Sequence, residues 1–292
     1  MIKRIGLFLL TNMLVILTVS IILNIVLPML GIRVAGAWGI AVFSGVFGMT
    51  GAFISLAISR WMAKRAYNIH LLDGSMQDYR GREIYDMVAR LSRQAGLPAV
   101  PEVGIYESAE PNAFATGPSK KKSLVAFSTG LLSSMERSEV EAVAAHEVSH
   151  IANGDMVTMT LLTGVANALV MFLARIIAQA FNSFLRGDDD EGGLGFIGYI
   201  VTVMVLETVL MLLASIPLAA FSRLREYRAD AGAARITSPA AMISALQRLQ
   251  TAAAAPQPKD SFAMAKISSS KRVSLFSTHP SLEDRVARLR SM

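Results

Sequence analysis

The sequence predicts a membrane α-helical protein with four transmembrane helices and a mainly α, cytoplasmic α+β domain that contains a small sheet. Three observations predict it. Hydrophobic residues fill 53% of the 292 positions and the mean hydropathy is +0.46, too apolar for an ordinary soluble chain. Four apolar runs each reach or exceed the roughly 20 residues that cross a bilayer as a helix. Two further stretches, one between the pairs of runs and one after them, carry the charge density and turn residues of a folded soluble domain.

The first run, 5–30, follows Lys3 and Arg4. It exceeds the roughly 7–15 apolar residues of a cleaved signal, and Arg33 precedes the Ala35-Gly36-Ala37 that would serve as a cleavage site, so it reads as an uncleaved anchor. The second run, 34–59, holds Gly39, Gly45, Gly48 and Gly51, small residues that let helices approach closely. Arg60, Trp61, Lys64 and Arg65 then mark an interface, and cations on both flanks of 1–65 place the N-terminus and residue 60 onward in the cytoplasm.

Residues 66–155 read as the first part of the cytoplasmic domain. The pattern predicts an amphipathic helix over 83–94, ended by Gly96 and Pro98, and short strands at 103–106 and 124–127. Lys120, Lys121 and Lys122 form a solvated turn between them. Ser138 and Glu141 have capping-box spacing at the start of a helix that Asn153-Gly154 closes, and Asp155 can cap the next one. Two more spans follow, 156–181 and 194–221, within the membrane segment 156–221. Arg175 lies in the last third of the former, where its side chain can snorkel to the interface. Glu207, in the latter beside Pro217, should face the bundle or be protonated, because a lipid-facing carboxylate costs at least a few kcal/mol, as a rough figure. The acidic loop 187–193 between them reads as solvated. Arg223, Arg225 and Arg228 return the chain to the cytoplasm, where 222–292 completes the same domain.

The chemistry is concentrated in His146-Glu147-Val148-Ser149-His150. Helical positions four apart lie about 40° apart, so both imidazoles can reach one metal while Glu147 projects beside them. Zinc held in this way needs a third protein ligand and keeps a place for water, whose proton a neighbouring carboxylate can take. Cysteine is absent and only four histidines exist, so the third ligand must come mainly from Asp or Glu. Glu226 and Asp230, four apart after the last span, share a helix face; Glu226 can ligate while Asp230 accepts a hydrogen bond from a ligand imidazole. An ordinary solvated acidic pair is the alternative. His70 has no partner in sequence and reads as a surface residue. The pI of 9.7 raises nucleic acid binding, but no basic stripe interleaves with aromatics, and positive-inside anchoring accounts for the charge.

Residues 146–156, His-Glu-Val-Ser-His-Ile-Ala-Asn-Gly-Asp-Met, together with Glu226-Tyr227-Arg228-Ala229-Asp230 and Thr278-His279-Pro280, closely resemble the HtpX family of bacterial membrane-bound zinc proteases. The likeness extends to the opening Leu7-Phe8-Leu9-Leu10-Thr11-Asn12, and the family's eukaryotic relatives include the CAAX prenyl protease. The resemblance implies a zincin-like, gluzincin-type domain with one Zn2+ per chain, held by His146, His150 and Glu226. It implies a stress-response endopeptidase that acts on damaged or misfolded membrane proteins. It places the chain in the bacterial inner membrane with the active site and both termini cytoplasmic. It also implies that Asn112, Ala113 and Phe114, opening the 112–117 stretch, belong to a substrate-binding edge strand, and that His279 and Arg285 donate to the oxyanion. An ordinary turn at 112–117 and a helix-start role around Ser281 are the bland alternatives.

The sequence therefore predicts a zinc metalloendopeptidase in which Glu147 is the general base, with protein substrates and the lipid bilayer as partners and no nucleic acid. A zinc-dependent membrane transporter or scaffold without hydrolysis is the rival reading. An intramembrane protease is disfavoured by Glu136, Arg137, Glu139, Glu141 and Asp155 around the motif, because so many charges are costly in lipid.

Overall fold

The computed structural model describes residues 14–15, 17–19, 21–31, 36–73, 79–186, 193–254 and 275–292. After a π-helical turn at Ile22–Val26 and a short helix at Leu27–Met29, the elements are α1 (Gly36–Ala66), β1 (His70–Leu72), α2 (Tyr79–Gln94), β2 (Glu102–Tyr106), β3 (Ala113–Ser119), β4 (Lys122–Ser128), α3 (Thr129–Ser134), α4 (Arg137–Asn153), α5 (Asp155–Arg186), α6 (Gly195–Ile236), α7 (Pro239–Ala254) and α8 (Leu282–Arg290). The chain divides into two compact units, Met1–Leu56 with Met159–Leu218, and Ala57–Thr158 with Ala219–Met292.

In the first unit α1 and α5 meet through small residues. A Cβ on Gly48 would come within 2.6 Å of the Ala168 backbone, and one on Gly164 within 2.9 Å of Ala52. Among the described residues three helices are long and apolar enough to cross a membrane: α1, α5 and α6. Positions 5–13, 16 and 20 of the expected span at 5–30 lie outside the described residues, as do positions 187–192 of the acidic loop. Arg175 does not snorkel as expected. It donates to Glu207 Oε1 at 2.6 Å and lies 5.1 Å from the centre of the Phe43 ring. The Glu207 carboxylate on α6 holds the guanidinium within the helix pair. Glu207 thus faces the bundle, as one of the two sequence alternatives has it.

The second unit is built on a four-stranded sheet of order β1-β2-β4-β3. β2 and β4 run parallel, and β1 and β3 are antiparallel edges. The apolar Leu124, Val125, Ala126 and Phe127 are fully buried in the central strand β4, as a strand covered on both faces requires. β3 bulges between Thr116 and Ser119, where Gly117 takes φ 143° against the Lys122 carbonyl. Helices α2 and α4 pack on this sheet through Val88, Leu91, Val148 and Ile151.

Several boundaries differ from expectation for local reasons. The capping box at the start of α4 is two residues earlier, Glu136 with Glu139, whose Oε2 accepts from the Glu136 N–H at 3.0 Å; Glu141 pairs with Arg90 instead. Helix α6 does not stop at Phe221 but continues through Pro217 and on to Ile236. Strand β1 and helix α7 are additions. α7 carried a legible signal, Ser238 capping the Ala241 N–H ahead of Pro239 at the first helical position. Of the irregular 251–270 stretch, 251–254 end α7 and the rest lies outside the described residues.

Candidate metal centre and cleft

Helix α4 is buried over most of its length, with Ala142, Ala144, Ala145 and Val148 fully enclosed, and so holds His146 and His150 in fixed positions. Their Nε2 atoms are 3.1 Å apart. Helix α6 approaches at Gly232, where a Cβ would lie 2.6 Å from Ser149 Oγ, and this closeness delivers Glu226 one turn before Asp230. Glu226 Oε2 is 3.5 Å from His146 Nε2, and its Oε1 is 3.4 Å from His150 Nε2. The residues His146, His150 and Glu226 thus form a donor group of metal-binding size.

The outer side of each imidazole meets an acid. Asp230 Oδ1 lies 3.0 Å from His146 Nδ1, and Asp155 Oδ2 lies 2.6 Å from His150 Nδ1. Protons held on the Nδ1 atoms leave both Nε2 lone pairs facing inward. Asp230 is in turn gripped by Arg285, Nε to Oδ2 at 2.8 Å and Nη2 to Oδ1 at 2.6 Å, while Arg285 Nη1 is 3.6 Å from Glu226. His279 Nδ1 lies 3.2 Å from Glu226 Oε2. Burial would raise the Asp230 carboxyl, yet Arg285 and His146 hold it down to about 2. Burial would likewise raise Glu226, and His146, His150 and His279 hold it far below the carboxylate range. For His146 burial disfavours the charged ring, but Asp230 and Glu226 draw its pKa up to about 10.

These residues fit a cation. A tetrahedral ion with ligands at about 2.0–2.1 Å sets them about 3.3–3.4 Å apart, close to the spacings of the two Nε2 atoms and the Glu226 carboxylate. Buried carboxylates that draw protons onto imidazoles are satisfied equally by a divalent metal among them.

All the residues predicted for the site come together. Glu147, half-buried, lines a cavity of about 500 Å³ with His146, His150, Glu226, His279 and Arg285. Asn112, Ala113 and Phe114 line the same cavity at the start of edge strand β3. Phe114 closes an aromatic group with Tyr67 and Tyr106, ring centres 5.2–5.7 Å apart. His70 is exposed on β1, apart from the donor group. Asp155 escaped the sequence reading, which saw only a helix cap. The left-handed Gly154, φ 73°, turns the chain so that Asp155 folds back on His150, and an acid directly after an Asn-Gly cap was the available signal. Arg225, whose Nη1 reaches the Asp155 carbonyl at 3.5 Å, also lines the cavity unforeseen.

Comparison with known proteins adds three findings. The family model described as Peptidase family M48 matches residues 78–292. The proteins named Protease HtpX from Shewanella oneidensis and Shewanella halifaxensis are 48% and 47% identical over 291 residues, with 99% of each chain covered. Among solved structures, S. mikatae Ste24p superposes with a TM-score of 0.61 at 19% identity, over 99% of this chain and 67% of that one, a likeness of fold.

Proposed function

This chain belongs to peptidase family M48 and is a membrane metalloprotease, and on that footing we propose that it is a zinc-dependent endopeptidase of the gluzincin type. The observation that carries the proposal is the pair of inward-facing Nε2 atoms and the Glu226 carboxylate, 3.1–3.5 Å apart and backed by Asp230 and Asp155. His146, His150 and Glu226 would hold one zinc per chain. Bound there, zinc would supply Lewis-acid polarisation of a peptide carbonyl and acidify water beside it.

The remaining roles fall to side chains. Glu147 takes a proton from the attacking water and returns it to the leaving amine. Asn112, Ala113 and Phe114 align a substrate segment as an antiparallel strand on the open edge of β3, which fixes the carbonyl against the donors. His279 and Arg285 offer N–H groups to the carbonyl oxygen as it gains negative charge. Asp230 and Asp155 fix the two tautomers, and Arg285 fixes Asp230.

The substrates in this proposal are damaged or misfolded membrane proteins in a bacterial inner membrane. Four spans, 1–65 and 156–221 containing two each, leave both termini and the 66–155 and 222–292 protease segments in the cytoplasm. Cations that follow each pair of spans, Arg60 and Lys64 after the first and Arg223 and Arg228 after the second, support that orientation. The transporter or scaffold alternative would draw on charges within the spans, and there Arg175 and Glu207 neutralise each other.

Casein cleavage by the full-length chain in detergent, with and without zinc, is the test. Glu147→Ala should bind zinc and cleave nothing. Zinc-independent cleavage, or cleavage retained by that variant, would sink the proposal.

A further inference from the structure

The metal centre makes no use of the lysine turn at 120–122. Lys120 and Lys121 form the tip of the β3–β4 hairpin, and Lys122 opens β4, its N–H donating to Ser119 Oγ at 3.2 Å. All three lysines are exposed. Among the described residues no carboxylate lies within 4.0 Å of their Nζ atoms, whereas the Lys64 ammonium sits 3.1 Å from Glu102. The turn also has a defined place. A Cβ on Gly154 would lie 3.6 Å from Lys120 Cε, so the lysines stand beside the residue that ends α4 and precedes α5. Along α5, which is long and apolar enough to cross a membrane, exposed large apolar side chains recur every four positions at Leu161, Val165, Leu169, Leu173 and Ile177. That stripe is a lipid-facing one, and Gly154 precedes its first member by seven residues, about 10 Å of helix. The headgroup layer on either side of the hydrocarbon is roughly 5–8 Å deep. Long lysine side chains at the level of Gly154 therefore reach the headgroups.

We infer that the Lys120-Lys121-Lys122 turn binds the phosphates of anionic phospholipids at the membrane surface. The inference takes α5 as a span and needs neither zinc nor peptidase activity. Three adjacent cations repel one another across a tight turn, and a shared anion relieves that repulsion. Each lysine held near an anionic lipid surface adds about fivefold in affinity, so three together add roughly a hundredfold. A nearby carboxylate would cancel part of this attraction, and the turn has none within ion-pairing distance. The β-bulge at Gly117 comes just before the turn, and a bulge strengthens the twist and redirects the hairpin tip. The same hairpin carries edge strand β3, which opens onto the cavity at Asn112, Ala113 and Phe114. Lipid bound at one end of β3 thus fixes the height of that strand above the bilayer.

The test places the full chain in nanodiscs of phosphatidylcholine, alone or mixed with phosphatidylglycerol, and acetylates lysines with an uncharged reagent, each site being read by mass spectrometry. Lys120, Lys121 and Lys122 should react at least about fivefold more slowly in the phosphatidylglycerol discs, and about 1 M salt should abolish the difference. Equal rates in the two kinds of disc, or a slowing that salt leaves intact, would overturn the inference. Polyglutamate that slows the reaction in phosphatidylcholine discs, where phosphatidylglycerol has no effect, would reassign the turn to an acidic polypeptide. A second measurement titrates dioctanoyl phosphatidylglycerol onto the full chain in neutral detergent. The variant carrying Lys120→Gln, Lys121→Gln and Lys122→Gln should bind it at least about tenfold more weakly than the parent. Unchanged affinity in the folded variant would overturn the inference, as would inorganic phosphate binding the parent as tightly as the lipid does. The acetylation measurement needs no substitution, so it decides the matter even where the triple variant does not fold.

Discussion

Gly232 of α6 lies against Ser149 of α4 so closely that a Cβ would sit 2.6 Å from Ser149 Oγ and 2.9 Å from its Cβ. Ser149 cannot easily yield, because it is buried and its hydroxyl donates to the Ala145 carbonyl at 2.7 Å. Within a helix, glycine to alanine ordinarily gains about 1 kcal/mol, whereas overpacking costs about 1–3 kcal/mol. Overpacking should win here. Gly232→Ala should lower the Tm and weaken metal binding, since it displaces the turn bearing Glu226 and Asp230, and Gly232→Val should do more. Ser149→Ala should recover part of the loss. A Gly232→Ala protein with unchanged Tm and metal affinity would refute the close contact.

Asp155 holds the outer nitrogen of His150 at 2.6 Å. Removal of such an orienting acid typically weakens metal affinity about 10–100-fold. Asp155→Asn should therefore release metal at lower chelator concentration than the parent chain, by about that factor. Asp230→Asn should act in the same direction and also cost stability, because it leaves the buried Arg285 fork without its paired carboxylate, with only the longer 3.6 Å approach to Glu226 remaining. Chelator titrations of the three proteins, with Tm measured alongside, separate the two acids.

The sequence made legible what spacing alone encodes. His146, Glu147 and His150 share a helix face by arithmetic, and so do Glu226 and Asp230; the central strand β4 announced itself as an apolar run. Contacts between distant segments were not legible. Arg175 and Glu207 are 32 positions apart, Ser149 and Gly232 are 83 apart, and no local pattern couples either pair. Asp155 shows a third kind of limit, because an acid after Asn-Gly fits a helix cap and a histidine partner equally well until the geometry of Gly154 decides. Arg285 reads as a cleft residue from resemblance, and its fork onto Asp230 emerges only when α8 is packed against α6.

Glu139 makes α4 sensitive to acid. Burial alone would raise its carboxyl, but the Glu136 N–H, Ser244 Oγ at 2.7 Å and Arg248 Nε at 3.3 Å hold it below the ordinary range. A carboxyl depressed in the folded state contributes stability that is present above the unfolded value of about 4.3 and is lost as pH falls through the lower folded value. Glu139→Gln should cost about 1–3 kcal/mol at neutral pH. The difference in Tm between variant and parent should shrink as pH drops below about 4.3. Excess chelator at every pH removes any contribution from metal release. A difference that stays constant with pH would exclude the ionised form as the stabilising one.

Arg175 and Glu207 pair at 2.6 Å on two helices long and apolar enough to cross a membrane, with the Phe43 ring beside the guanidinium. A charge at the centre of a span costs about 2.5–3.5 kcal/mol, so either residue alone is a liability. Glu207→Ala and Arg175→Ala should each reduce the yield and Tm of folded protein in lipid nanodiscs, because each leaves one charge in the span without its partner. The double variant should be better tolerated than the sum of the two single losses, because nothing charged remains. Additive losses in the double variant would show that the pair is not coupled in the folded protein.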